Sequence, residues 1–190
     1  MESSLKEQIL SIATFTDNEM EKIISCFEYE KFDSKTYIAT IGKINNRIFF
    51  ILNGLARTYY LKNGKEITTY LSCDNGFIAS YSSFINQTPS YENIHCLEEC
   101  EVLSINYEKM QYLYAEIPNW ERVGRILAEQ NFLCMADRLL KLQMISAKEK
   151  YQTFLKTAPS RIIQRTPLLH VASFLGITPE SLSRIRQNIS

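Results

Sequence analysis

The stretch "LLHVASFLGITPESLSRIRQ", residues 168–187, has the residue spacing of two helices joined by a tight turn. Ala172 is small enough to let two helices cross closely, and Gly176 can supply the positive φ that such a turn needs. Leu182 and Ile185 lie three residues apart and are expected to face the first helix. Together these residues predict a helix-turn-helix.

Two threonine–proline pairs predict where the two helices begin. Thr166-Pro167 precedes the first helix and Thr178-Pro179 the second, because threonine is a good N-cap and proline is tolerated in the first turn. The outward face of the second helix is polar, and its first turns are where a recognition helix meets base edges in the major groove. We therefore predict DNA binding through Thr178, Glu180, Ser181, Arg184 and Gln187.

Basic residues are concentrated around this motif. Residues 147–190 hold seven lysines and arginines against two glutamates, a net charge of +5, whereas residues 1–146 carry −5. A basic segment in a protein of zero net charge predicts an acidic partner for that segment alone. The alternative is a solvated surface without a partner. If Lys150 and Arg161 contact phosphate, replacing either should weaken DNA binding uniformly and reduce its salt dependence.

The length and composition are those of a globular protein with one large domain or two small ones. The 190 residues are 45% hydrophobic and 22% charged, and no apolar run reaches the roughly 20 residues of a membrane helix. The polar start "MESSLKEQIL" does not resemble a secretory signal. Five scattered cysteines are not typical of a disulfide framework, so we expect a cytoplasmic protein that does not enter the membrane.

The first 105 residues change from a helical to a strand pattern. Residues 5–27 are predicted to be helical, with Thr16 as an N-cap. From residue 28 to 105, short runs of β-branched and aromatic residues alternate with turn signals, among them the Asn-Gly of "KNGK" and the triplet Asp74-Asn75-Gly76. Many short strands separated by turns predict a sandwich or a barrel-like roll.

A helix of about 27 residues is predicted from Asn119 to Ile145, after a short helix that ends at Pro118. It is apolar on more than one face. One stripe can pack on the roll, and the other then needs a partner, most simply the same helix of a second copy. The alternative is a central helix buried within one chain. The stripe assigned to a dimer interface is Val123, Ile126, Leu133, Leu140 and Met144; the second stripe is Phe132, Met135, Leu139 and Leu142.

The order of roll, long helix and helix-turn-helix resembles the Crp/Fnr family of bacterial transcription regulators. The resemblance covers nearly the whole chain: "FFILNGLARTYYLKNGKEITTYLSCDNGFIASYSSF" is similar to the roll strands, "CEVLSINYEKMQYL" to the segment before the dimer helix, and "ITPESLSRIRQ" to the recognition helix. It implies an α+β protein. The implied parts are a cyclic-nucleotide-binding-like, jelly-roll type β-roll with flanking helices (1–117), a dimerisation helix (118–146) and an all-α helix-turn-helix domain (147–190).

The resemblance also implies a function: a homodimer that regulates transcription from a palindromic operator, with RNA polymerase as a further candidate partner. Glu180 and Arg184 stand at positions that touch bases in family members, but an arginine often found before that glutamate is here Pro179. The β-hairpin wing of the family has no room between Pro159 and Thr166 and no residues after Ser190. We therefore expect a wingless subgroup.

The effector segment departs from the family pattern. In members that bind cyclic AMP, a glutamate takes the ribose hydroxyl and an arginine pairs with the phosphate; the matching positions here are Ser80 and Ser90, followed by Tyr91. No lysine or arginine occurs between Lys65 and Lys109. The effector is therefore unknown and is not expected to be cyclic AMP. The pocket is assigned to Phe77, Ser80, Tyr81, Ser82, Ser83, Ser90 and Tyr91.

Two functions of these hydroxyl groups stay open. They can hydrogen-bond a neutral or weakly polar ligand, or they can satisfy only backbone groups in a filled roll.

The sequence offers little support for a metal site, a haem site or an enzyme active site. Cys96 and Cys100 lack the further cysteine or histidine ligands of a metal site, and a lone strand histidine such as His95 is more often packed than bound to haem. A cupin-like enzyme needs several histidines, whereas this chain has His95 and His170. We expect no enzyme, no metal and no cofactor. The alternative to a regulator is a ligand-sensing or dimerising interaction module without specific DNA binding.

Overall fold

The computed structural model describes residues 2–188, and its N-terminal part is a roll of two four-stranded antiparallel sheets. The strand orders are β1-β8-β3-β6 and β2-β7-β4-β5, so each sheet combines strands from the first and the second half of residues 28–106. A short helix, α3 (Tyr81–Asn86), separates β6 from β7. The strands are β1 (Glu28–Phe32), β2 (Tyr37–Ala39), β3 (Arg47–Asn53), β4 (Leu55–Lys62), β5 (Lys65–Cys73), β6 (Phe77–Ile78), β7 (Asn93–Cys96) and β8 (Cys100–Asn106).

The β4–β5 hairpin closes at the predicted Asn-Gly turn. Lys62 pairs with Lys65, and the two residues between them, Asn63 and Gly64, have φ values of 52° and 75°. Positive φ at both central positions is the geometry that matches the twist of a two-residue hairpin, and asparagine and glycine adopt it most readily. The predicted hairpin is therefore confirmed.

The helix predicted over residues 5–27 is two helices, α1 (Ser3–Leu10) and α2 (Asp17–Ser25). The predicted N-cap at Thr16 is confirmed, whereas residues 11–16, also predicted to be helical, are not in a helix. The Thr16 hydroxyl accepts from the Glu19 N–H while the Glu19 carboxylate accepts from the Thr16 N–H. This reciprocal capping box satisfies donors that a continuous helix would use internally.

Both N-terminal helices cover one sheet of the roll. They form an apolar core with β3, β8, α4 (Tyr107–Glu116) and the first turns of α5 (Pro118–Met144). Asn106 caps α4, and Pro118 occupies the first position of α5, one residue before the predicted start at Asn119. Val123 belongs to this core and is only 1% exposed. Its assignment to a dimer interface was wrong, since its own roll already covers it.

The second half of α5 carries a continuous apolar face. Leu133 is 64% and Leu140 56% exposed, and Ile126 is half-buried at the start of the same face. We call this surface the α5 stripe. Its exposed members are Phe132, Leu133, Leu139, Leu140 and Met144.

Four helices follow: α6 (Ala147–Thr157), α7 (Ser160–Arg165), α8 (Leu168–Leu175) and α9 (Pro179–Gln187). Ser146 and Glu149 form the predicted capping box of α6. The predicted cap of α8 was wrong: Pro167 is the N-cap, and the buried Thr166 hydroxyl has no hydrogen-bond partner. Because α8 begins one residue later than expected, the capping position falls on a residue that has no side-chain acceptor.

The predicted α+β architecture is confirmed, with the roll preceding the long helix and the C-terminal helices. In the described residues, no helix is both long enough and apolar enough to cross a membrane.

Gly54, between β3 and β4, provides a test of the roll. Its φ is +125°, and a Cβ atom there would lie 2.5 Å from the Glu99 carbonyl oxygen. We expect Gly54→Ala to lower the free energy of unfolding by about 2–4 kcal/mol, from backbone strain plus overpacking. Urea unfolding would measure this loss. Gly42→Ala is the matched control, since Gly42 has a φ of +82° but no atom near that position; equal losses would contradict the overpacking argument.

Candidate nucleic-acid interface and effector segment

Helices α8 and α9 pack as the spacing of their small and apolar residues predicted. Ala172 and Leu182 are buried at the crossing, and Ile185 packs against the same cluster. Gly176 ends α8 with a φ of +65°, in the left-handed region that favours glycine. The Ile177 N–H then donates to the Ala172 carbonyl and closes the turn. The local geometry is that of a helix-turn-helix.

Helix α9 presents a polar face to solvent. The Thr178 hydroxyl caps it by accepting from the Ser181 N–H at 3.2 Å. Ser181 is half-buried in the first turn of the helix. Sequence reasoning missed Ser183, which lies on the exposed face; its position three residues after Glu180 and one before Arg184 was the available signal. The α9 face consists of Glu180, Ser183, Arg184 and Gln187, all exposed.

Glu180 on this face is ionised at neutral pH. Hydrogen bonds from its own backbone N–H and from Thr178, together with the nearby Arg184, hold the pKa of Glu180 below its usual range. The α9 face therefore carries one carboxylate and one guanidinium. A carboxylate accepts from the cytosine amino group and a guanidinium donates to guanine, so this pair can read base edges.

Two basic residues considered for phosphate contacts are bonded within the chain. The Arg161 guanidinium donates to Asp74, Glu98 and Asn53 of the roll, each at 2.8 Å. Lys150 donates to the Leu142 carbonyl at 2.9 Å. Charge counted along a sequence does not distinguish solvent-facing side chains from those that join two parts of one chain.

Helix α8 is fixed on strand β5 by a pair of side-chain hydrogen bonds. The Ser173 hydroxyl donates to the Glu66 carbonyl at 3.0 Å and accepts from the Thr68 N–H at 2.9 Å. An apolar cluster under this contact joins Leu55 and Leu71 of the roll to α6, α7, α8 and α9. The orientation of the α9 face is therefore set by the roll.

A buried ionic cluster lies beside this contact. Arg57 is 1% exposed, forms an ion pair with Glu66 and lies over the Tyr59 ring at 4.2 Å. His95 stacks on a neighbouring tyrosine and is half-buried. Burial, together with the positive charge of Arg57, lowers the pKa of His170 on α8 to about 4. His170 is consequently neutral when the helical part is in contact with the roll.

The serines of the effector segment hydrogen-bond to one another and to the backbone. Ser80 and Ser90, both buried, share a hydrogen bond of 2.8 Å, and Ser90 also donates to the Glu92 carbonyl at 2.7 Å. The Ser83 hydroxyl donates to the Thr88 carbonyl and accepts from the Asn45 N–H at 2.9 Å. This geometry favours the alternative in which these hydroxyl groups satisfy the protein itself.

The remaining residues assigned to the effector pocket are not gathered around one space. Ser82 and Tyr91 are exposed, whereas Tyr81 is largely buried and burial raises its pKa to about 12. Phe77 packs against Phe50 with 4.9 Å between the ring centroids. In the part of the chain that the structure describes, no three His, Cys, Asp or Glu side chains are grouped so as to hold a metal ion.

Comparison with known proteins identifies the roll. Residues 29–116 match the family model described as "Cyclic nucleotide-binding domain". No curated protein matches the chain in sequence.

Three solved structures show where the whole fold recurs. FixK2 from Bradyrhizobium japonicum has a TM-score of 0.75 at 14% identity, over 86% of this chain and 84% of that chain. The c-di-GMP responsive regulator CLP of Xanthomonas campestris has a TM-score of 0.69 at 14% identity, over 92% and 91%. A putative Crp/Fnr regulator from Eubacterium rectale has a TM-score of 0.68 at 16% identity, over 92% and 83%. At these identities the likeness establishes the fold.

Cyclic nucleotides are not expected to bind to the effector segment. A cyclic phosphate there would lie in a stretch without lysine or arginine from residue 66 to 108, and an unpaired buried charge costs several kcal/mol. We predict no binding of cyclic AMP or cyclic GMP at physiological concentrations in a calorimetric titration. A dissociation constant in the low micromolar range for either nucleotide would overturn this.

The half-buried His170 predicts a pH dependence of stability. The unfolded chain binds this proton near pH 6.5, whereas the folded chain resists it down to about pH 4. The free energy of unfolding should therefore be constant above pH 6.5 and fall as the pH drops from 6.5 towards 4. Urea unfolding at several pH values should show a shallower fall for His170→Gln. A variant with the wild-type pH profile would contradict the assignment.

Proposed function

We propose that the protein is a sequence-specific transcription regulator, because residues 29–116 match the cyclic nucleotide-binding domain model and the chain shares the fold of solved regulators. It would bind DNA as a homodimer on a two-fold symmetric site. We retain the proposed division into a roll (1–117), a dimerisation helix (118–146) and a DNA-binding domain (147–190).

The observation that carries this proposal is the exposed α9 face. A helix-turn-helix that serves only for packing has no need of a second helix with one wholly polar, solvent-facing side. Glu180, Ser183, Arg184 and Gln187 all project from that side, at spacings of three, four and seven residues from the first. In DNA-binding proteins of this kind, the equivalent side lies in the major groove.

The α5 stripe supports the homodimer. Phe132, Leu133, Leu139, Leu140 and Met144 form one contiguous apolar surface, and exposed apolar surface of this kind marks an interaction site. A parallel pairing of two α5 helices would bury the stripe and relate the two copies by a two-fold axis. The two recognition helices would then contact half-sites about 34 Å apart, one turn of B-DNA.

Selection of binding sites from random duplex DNA tests the proposal. We expect enrichment of a palindromic sequence, with affinity that falls as salt increases. Recovery of no sequence above background would instead favour an interaction module without specific DNA binding.

Arg184 is expected to supply sequence discrimination. A bidentate arginine on guanine is worth about 1–3 kcal/mol against the wrong base. Arg184→Ala should therefore weaken binding to the selected site by about 5–150-fold and relax the preference at one position of each half-site. Fluorescence anisotropy with the selected duplex and with single-base variants would measure both effects.

Lys43→Ala is the control for Arg184→Ala. It removes one positive charge from an exposed side chain of the roll, away from α9 and from the α5 stripe. Its affinity and base preference should stay close to those of the wild type. If Arg184→Ala weakens binding equally to all sequences, Arg184 touches only phosphate and the base contact is refuted.

The proposed dimer predicts the effect of charges in the α5 stripe. Leu133→Asp and Leu140→Asp place a carboxylate on the surface that the second copy would cover, so each should give monomers with weak DNA binding. Leu61→Asp is the control, because Leu61 is 55% exposed at the β4–β5 hairpin and lies off the stripe. Sedimentation velocity at micromolar concentration would measure the state; a monomeric wild type would end the dimer proposal.

A further inference from the structure

A cavity of about 440 Å³ lies where the roll, α5 and the C-terminal helices meet. Its apolar walls come from all three parts of the chain. Cavities of 300–1,000 Å³ with mainly apolar walls and a few polar groups are typical small-molecule sites. The apolar lining includes Leu71 of β5, Met135 and Leu142 of α5, Phe154 of α6, Ile162 of α7 and Phe174 of α8.

Charged side chains at this cavity are unbalanced in favour of cations. Asp74 is paired with Arg161, and Asp137 is paired with Lys141. Arg138 and Lys150 also line the cavity, and their hydrogen bonds in the structure go to backbone carbonyls. Neither has a carboxylate partner among the ion pairs of the described residues.

Arg138 has capacity for a further acceptor. Its Nη2 donates to the Thr68 and Phe174 carbonyls, each at 3.0 Å, while its Nε is buried without a hydrogen-bond partner. An unsatisfied buried donor is costly, and a charged one more so. Burial also lowers the pKa of Arg138. An anionic group in the cavity beside the guanidinium would offset the cost of burying its charge.

We propose that this cavity binds an apolar monocarboxylic acid, with the carboxylate near Arg138 and Lys150 and the hydrocarbon body against the apolar walls. The site is distinct from the effector segment of residues 76–91, where the serines are already hydrogen-bonded within the protein. A carboxylate matches both a guanidinium and an ammonium donor, and charge-assisted hydrogen bonds of this kind are stronger than neutral ones.

Arg138 lies outside the surface through which two copies would pair in the proposed dimer. At 3.6 residues per turn, Arg138 lies about 140° around α5 from Leu133 and about 100° from Leu139. Pairing through the α5 stripe would therefore leave Arg138, and the side of the cavity that it lines, outside the interface.

Ligand binding would be coupled to the position of the DNA-binding helices. The walls include β5 and α8, which Ser173 holds together. A ligand that binds best at one distance between β5 and α8 stabilises the conformation with that distance. This regulatory consequence rests on the proposed function, whereas the binding site itself does not.

Calorimetry on the full chain with a matched set of small molecules tests the site. Decanoate and 4-phenylbutyrate offer a flexible and a compact body on the same acid, and decan-1-ol offers the same chain without charge. We expect at least one acid to bind with one site per chain, about tenfold more tightly than the alcohol. If neither acid binds, or the alcohol binds as tightly as the acids, the proposal is overturned.

Variants locate the binding. Lys150→Met should weaken acid binding about tenfold, while Lys156→Met, an exposed lysine of the same helix outside the cavity, should leave it unchanged. Thr153→Phe should fill the cavity and abolish binding; circular dichroism would establish that it folds. Arg138 is left intact because it also joins β5 to α8. Equal binding by wild type, Lys150→Met and Thr153→Phe would place the acid elsewhere and refute the site.

Anisotropy with the selected duplex, with and without the bound acid, separates the two proposals. Acid binding without DNA binding refutes the regulator and leaves the site. DNA binding without acid binding refutes the site and leaves the regulator.

Discussion

The Arg138 guanidinium joins three parts of the chain that are far apart in sequence. It extends from α5, donates to the Thr68 carbonyl of β5 and the Phe174 carbonyl of α8, and lies 4.7 Å from the Phe174 ring centroid. Burying a guanidinium without a carboxylate is costly, so the contact persists only because both carbonyls and the ring compensate for lost water. Its geometry fixes the recognition helix relative to α5, and in the proposed dimer it would also set the distance between the two recognition helices.

Features that depend on neighbours in sequence could be predicted from the sequence. The caps at Thr16, Ser146 and Thr178 depend on hydrogen bonds within three residues, and the Asn63-Gly64 turn depends on the φ preferences of its own residues. Neighbouring residues therefore determine all of these features. The packing positions of the helix-turn-helix follow for the same reason, since helix periodicity fixes which residues face inward.

Features that depend on contacts distant in sequence could not be predicted. A periodic apolar pattern marks faces of α5 but does not say what covers them: Val123 packs in the roll core, whereas Leu133 on the same stripe is exposed. Arg161 and Ser173 resemble ordinary polar surface residues, yet they hold the C-terminal helices against strands about a hundred residues away. The DNA-contact and effector residues assigned from the sequence remain proposals.

The effector segment differs from the cavity between the roll, α5 and the C-terminal helices in how its buried polar groups are satisfied. A roll whose phosphate segment lacks a basic residue must satisfy its buried hydroxyl groups internally, as the Ser80–Ser90 and Ser83–Thr88 hydrogen bonds do. Such a segment needs no ligand to order it, and a ligand there would have to break these bonds. Arg138 lines the cavity, and its Nε is one of several buried side-chain atoms without a hydrogen-bond partner in the described residues. A ligand whose negative charge lies beside the Arg138 guanidinium would offset the cost of its burial, which places the proposed control of DNA binding between the roll and the recognition helix.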